Sequence, residues 1–337
     1  MKLFDTPNIY YLCYASQKVT GGNKKAYQHV DRLREAGFSA YIVHPVDTGF
    51  RLNWFENETP VMGWQEFHAR LDPDRDWVVC PEDFGSQILK LAGNQKVVFN
   101  QNVYYGFERV DLPTPKNRNR GQLDPYFDPS VKAAIVVSEH NRTLLHYAHP
   151  HLPIYRLQLH IDTDKFEFQP LAHKRKLIAF DRKNRPETHT VYQLVRARAV
   201  GGAKALQGSE CVWLRNFSEA QVRENLRDAL VFVFLSYHEG FGMMPLEAMA
   251  SGCVVVAFDR DPMREYLPPE YRVAGGDILE VVRRIEAIAA AYPDNLGPWQ
   301  AQVDRFRAIA ERYTAEAETE TLLAAWDTIL AGKPPEA

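Results

Sequence analysis

Residues 231–259 read Val-Phe-Val-Phe-Leu-Ser-Tyr-His-Glu-Gly-Phe-Gly-Met-Met-Pro-Leu-Glu-Ala-Met-Ala-Ser-Gly-Cys-Val-Val-Val-Ala-Phe-Asp, and this segment alone restricts the chain to a parallel, helix-covered sheet. The apolar run Val231–Leu235 is too short for a helix and rich in β-formers, as is Val254–Phe258, so each predicts a buried parallel strand. Gly240 and Gly242 allow a close backbone approach in the turn between them. Pro245 fits only the first turn of a helix, which predicts a helix opening at Met243 or Met244. Its amides and positive dipole end then lie beyond the carboxyl edge of the sheet, where doubly wound folds hold ligands and helix N-termini hold phosphates. Glu239 precedes the turn and Glu247 lies one turn into the helix. Each carboxylate can accept two hydroxyl donors, which suits a sugar on one side of a diphosphate and a ribose on the other.

The run Glu239-Gly-Phe-Gly-Met-Met-Pro-Leu-Glu247, continued by Ala-Met-Ala-Ser-Gly-Cys, resembles the signature of the retaining glycosyltransferases of family 4, also called group 1. That resemblance implies the GT-B fold, an α/β architecture of two Rossmann-like, doubly wound domains facing a cleft. It implies a nucleoside-diphosphate sugar as donor, with Glu239 on the sugar, Glu247 on the ribose and the amides of Gly240, Phe241, Gly242, Met243 and Met244 on the diphosphate. It is specific from about Lys176 to Asp277 and loose over the first half.

Apolar runs and amphipathic stretches alternate along the rest of the chain, the pattern of βα units. Strands are predicted at Ile9–Cys13, Ala40–Val43, Trp77–Cys80, Val97–Asn100, Ala134–Val137 and Ile154–Leu157, with helices at Asn23–Ala36, Phe84–Leu91 and Glu139–Tyr147. The aperiodic, proline-terminated segment Ile161–Pro170 reads as an interdomain connection. A second series follows: strands at Lys176–Phe180 and Cys211–Leu214, and helices at Thr188–Ala199, Ser218–Leu230, Ile278–Ala291 and Ala301–Leu330. The expected domains are therefore 1–160 on the acceptor side and 171–315 for the sugar nucleotide. By resemblance, a last helix at about 316–330 returns to the first domain.

Cations that follow a strand at its carboxyl edge can neutralise charge building on a departing diphosphate. Arg182 and Lys183 are so placed, and family members resemble this with an arginine and a lysine after the same strand; Arg185 is a spare candidate. Gly21-Gly22 follows the first strand, and Gly22 could bring amides to the diphosphate, while Lys24 and Lys25 are expected on the solvated helix face. Arg215, after the Cys211–Leu214 strand, could stack on the base. Many family members carry a histidine after the Val97–Asn100 strand. Here Asn100, Gln101 and Asn102 stand instead, able to bind a sugar hydroxyl but not to act as a base. No general base is assigned. Glu82, His140 and Asn141 end other strands and are acceptor-side candidates. Asp277 is expected to cap a helix, and the resemblance places Arg264-Glu265-Tyr266 in a segment that closes the site.

A net charge of −3 over 337 residues does not support nucleic-acid binding. The start Met-Lys-Leu-Phe-Asp-Thr-Pro has no apolar core of a secretion signal, and no run approaches a membrane span. A cytoplasmic location is expected. Lys116, Arg118 and Arg120 leave room for peripheral contact with the inner membrane when the acceptor is a saccharide on a lipid. No cofactor and no metal are expected: Asp72-Pro-Asp74 and Asp162-Thr-Asp164 lie in loops, and His149-Pro-His151 lacks acidic or thiol companions. Cys13, Cys80, Cys211 and Cys253 lie in or beside strands and read as reduced structural thiols. The rival readings are a non-catalytic sugar-nucleotide-binding subunit, a sugar-nucleotide epimerase and a phosphorylase.

Overall fold

The computed structural model describes residues 6–108, 124–181 and 185–333. It divides into two compact units, Met1–Gln158 with Glu316–Ala337, and Leu159–Ala315. The first holds seven parallel strands, β1 (Asn8–Leu12), β2 (Ser39–Val43), β3 (Val61–Met62), β4 (Trp77–Pro81), β5 (Gln95–Asn100), β6 (Val131–Val136) and β7 (Ile154–Arg156). They lie in the order β3-β2-β1-β4-β5-β6-β7. The second holds β8 (Arg175–Asp181), β9 (Glu210–Leu214), β10 (Ala229–Phe234), β11 (Val254–Phe258) and β12 (Arg272–Val273), in the order β12-β11-β10-β8-β9 and again parallel. Every residue of β10 is buried, as a strand covered by helices on both faces requires.

The described helices of the first unit are α1 (Gly21–Glu35), α2 (Trp64–Arg70), α3 (Tyr104–Glu108) and α4 (Glu139–Ala148). Those of the second are α5 (Arg185–Val200), α6 (Glu219–Asp228), α7 (Met243–Ala250), α8 (Ile278–Ala291) and α9 (Gly297–Ala310), after which α10 (Ala315–Leu330) leads into the first. Ser218 and Gln221 form the reciprocal capping box that opens α6. Asp277 caps α8 by accepting the Glu280 amide at 3.0 Å. All four cysteines are free.

Three expectations are corrected. The helix expected at Ala301–Leu330 is two helices, because Tyr313 turns inward: its carbonyl accepts the Ile161 amide at 2.9 Å and its ring packs 5.6 Å from Phe241. Tertiary contacts thus override a continuous helical propensity. The stretch expected as one helix from Phe84 to Leu91 is a pair of 3-10 turns across Glu82–Lys90, broken at Gly85, where φ is 49°. Lys25 is not solvated but 3% exposed, its ammonium 2.8 Å from Glu318. Lys24, half-buried, faces the Phe55 ring. The two-residue strands β3 and β12 are too short to leave a period in the sequence.

The carboxyl edge of the second unit as a candidate active site

In the second unit the chain runs from β8 outward to β9, then returns to place β10 on the other side of β8. The order reverses between β8 and β10, and their carboxyl ends define the crevice in which open α/β sheets hold ligands. The residues that follow β10 form the glutamate turn. Those that follow β8 are Arg182 and Lys183, which lie outside the described residues; Asp181, the last residue of β8, is buried.

Gly242 caps α7 in the left-handed region, with φ 83° and ψ 72°, and no side chain caps the helix. Two features exclude a larger residue: the positive φ, and the Tyr266 hydroxyl, 3.1 Å from where a Cβ would stand. That hydroxyl donates to the Gly242 carbonyl at 2.7 Å, so the bend is held from beneath while the Met243 and Met244 amides open the helix. Phe241, 4% exposed, completes the support, its ring 5.5 Å from that of Tyr266. Gly240 is buried as well.

Glu239 is 7% exposed and Glu247 half-buried. Burial pushes the Tyr266 phenol well up from its ordinary value, and both carboxylates add to that shift, Glu239 more than Glu247. Burial is the larger cause, and the negative charge of the two glutamates acts in the same direction. Arg215 is exposed and follows β9, one strand farther from β10 than β8 is. Sequence reasoning missed Tyr313 and Arg260. Arg260 lies flat on the Tyr237 ring, 3.8 Å from its centroid, and Tyr237 in turn donates to Glu187 at the start of α5. Neither residue carries a motif or a period, so only the folded chain reveals them.

In the first unit the order reverses between β1 and β4. Gly22 sits in the first turn of α1, where a Cβ would meet the Gln101 side-chain oxygen at 2.5 Å. Gly22, Gln101 and Asn102 are thus neighbours, and the Asn102 amide donates to Glu82 at 2.9 Å. Two candidates are corrected. Asn100 is 1% exposed and donates to the Tyr126 hydroxyl at 2.9 Å, and Asn141, fully buried, points its amide back at Asn100. Both hold the sheet edge together rather than face a ligand. His140 meets the Tyr104 hydroxyl at 2.8 Å.

Burial, with a further push from Asp83, raises the Glu82 carboxyl from 4.5 to about 8, against the lowering effect of three backbone N–H groups. The folded chain therefore holds a proton that the unfolded chain has released between those two values, and stability falls as pH rises through that window. Glu82→Gln should flatten the profile by up to about 5 kcal/mol between its limits, read from denaturant midpoints at pH 5 and pH 9. Parallel profiles for the two proteins would refute this.

The Asp-x-Asp pairs are spoken for locally. Asp72 accepts the Asp74 amide at 3.1 Å, and Asp162 pairs with Lys165 at 2.9 Å. No group of three or more metal-type ligands occurs among the described residues, and no helix among them is long and apolar enough to cross a membrane. Lys116, Arg118 and Arg120 lie outside the described residues.

Residues 202–292 match the family model of the group 1 glycosyl transferases, the stretch that contains both glutamates and the glycine turn. The chain aligns over 97% of its length with the whole of a sucrose-phosphate synthase from Thermosynechococcus elongatus, at a TM-score of 0.67 and 14% identity. The chain has the GT-B fold. Anabaena HepE, solved with UDP and glucose, overlays 96% of this chain and 99% of its own, at a TM-score of 0.62 and 13% identity. An α-1,6-glucosyltransferase of Actinobacillus pleuropneumoniae serotype 7 is 24% identical over 74% of this chain and 72% of its own.

Proposed function

We propose that this protein is a glycosyltransferase of family 4, a retaining hexosyltransferase that moves a hexose from a nucleoside-diphosphate sugar to a saccharide or glycolipid acceptor, in bacterial surface polysaccharide synthesis. The observation that carries the reading is the placement of buried Glu239 just before, and of Glu247 within, an α7 whose N-terminus has no side-chain cap, at the switch point of the second unit. In this reading Glu247 binds the ribose and Glu239 the hexose. The Phe241–Met244 amides, with Arg182 and Lys183, receive the negative charge of the departing diphosphate, a task that needs no metal ion. The leaving diphosphate takes the acceptor proton on the same face, so no protein base is required. Gly22 and Asn102 add donor contacts from the first unit and Arg215 stacks on the base. The first unit selects the acceptor. The glucosyltransferase relative and the UDP-bound neighbours support UDP as the nucleotide and glucose as the first hexose to test. Contact with a membrane surface accompanies a lipid-linked acceptor.

A bound donor raises the melting temperature by mass action. A panel of UDP-, GDP- and ADP-hexoses, each with and without magnesium, should show one preferred donor, UDP-glucose, and no effect of the metal. Equal and negligible shifts for every donor would sink the reading.

A further inference from the structure

On the far side of Tyr266 from Gly242, within the second unit, the segment 264–272 and residues 305–312 in and just after α9 line an open cavity of about 510 Å³. Arg264, Arg272, Arg305 and Arg312 line it, against the single lining carboxylate of Glu265. The remaining walls are proline and aliphatic side chains, with Tyr266 among the lining residues. Four guanidiniums thus gather around one hollow in a chain whose net charge is −3. Asp259 pairs with both Arg264 and Arg272, Asp261 pairs with Arg264, and Glu270 pairs with Arg305, but none of those three carboxylates lines the cavity. They hold the guanidiniums in place from outside. Arg272 is fixed further, donating to the Leu267 carbonyl at 2.6 Å, and its side chain is 14% exposed.

A guanidinium has five N–H donors in a rigid fork that matches phosphate, more than the three that Arg264 and the one that Arg305 give to carboxylates. We propose that this cavity is a binding site for a phosphate-bearing small molecule, distinct from the donor site, with the phosphate on the arginines and the organic part on the apolar wall. The site does not depend on the donor reading above. Because Tyr266 both lines the cavity and holds the Gly242 carbonyl, occupancy reaches the glutamate turn through one hydrogen bond.

The test is calorimetric titration of the full chain with inorganic phosphate and with a hexose monophosphate, in the presence of saturating UDP so that the donor site is filled. Binding with millimolar or better affinity is expected, tighter for the ester because of the apolar wall. In the double variant R305Q/R312Q it should weaken at least about tenfold, the loss of two charge-assisted contacts, with UDP affinity and melting temperature unchanged. The proposal is overturned if UDP abolishes phosphate binding, if chloride binds as well as phosphate, or if the variant binds phosphate as the parent does. Loss of UDP affinity in the parent chain would instead count against the donor reading alone.

Discussion

Replacing Glu239 with glutamine should lower kcat/KM for the donor roughly 100- to 1000-fold, the usual consequence of removing one charged contact that strengthens in the transition state. The loss should fall on kcat, because under the proposed function Glu239 touches the hexose that is being transferred. Glu247→Gln should behave differently. Under the same reading Glu247, in α7, binds the ribose, where contact is equally strong before and during transfer, so nucleotide affinity should drop about tenfold to a hundredfold with KM rising and kcat little changed. Glutamine keeps the size of either side chain, and Tyr266, Phe241 and Tyr313 support the turn besides. Steady-state kinetics on both variants, with UDP affinity by calorimetry, separate the two roles. Two variants that lost the same parameter, or a Glu239 variant with full turnover, would show that the glutamates do not divide the donor between them.

The second large effect is on stability and lies far in sequence from the signature. Glu318, in α10, is fully buried between Lys25, whose ammonium is 2.8 Å away, and Arg32, which donates to it. Both cations are on α1, and they are 4% and 11% exposed. A buried ion group of this kind adds little net stability over an apolar replacement, but breaking it from one side strands charge in a medium that cannot solvate it. Glu318→Ala leaves two cations without their counter-ion and should cost about 3–5 kcal/mol. Replacing all three groups together with aliphatic side chains should recover most of that. Denaturant unfolding of the single and triple variants gives the comparison. A single variant within about 0.5 kcal/mol of the parent would mean that α10 is held by other contacts, of which the Trp326 indole donating to the Tyr11 hydroxyl at 3.1 Å is the strongest candidate.

Much of the second unit was legible beforehand because its information is local. The residues that end β10, form the turn and open α7 are contiguous, and a proline and two glycines restrict their backbone in ways that no distant contact need supply. The same holds for the α6 capping box and for α8, whose bounds coincide with its hydrophobic period. Lys25 shows the opposite case. A lysine near the start of an amphipathic helix, beside a second lysine, has every local reason to be solvated, and it pairs with Glu318, nearly three hundred residues away. Asn100 and Asn141 misled for a related reason: an amide at the end of a strand reads identically whether it faces a ligand or a neighbouring loop.

What the sequence determined by itself was the class of fold and the chemistry of its turn, since strand, glycine bend, helix and paired acids follow one another within thirty residues and obey short-range sterics. Only the tertiary structure decided where α9 must stop, why Gly242 has a phenol beneath it, that Lys25 is sealed against α10, and that four arginines from two separate segments share one hollow. Each of those is a contact between parts of the chain with no sequence relation, and burial makes such contacts strong after the chain has already chosen which surfaces to bring together.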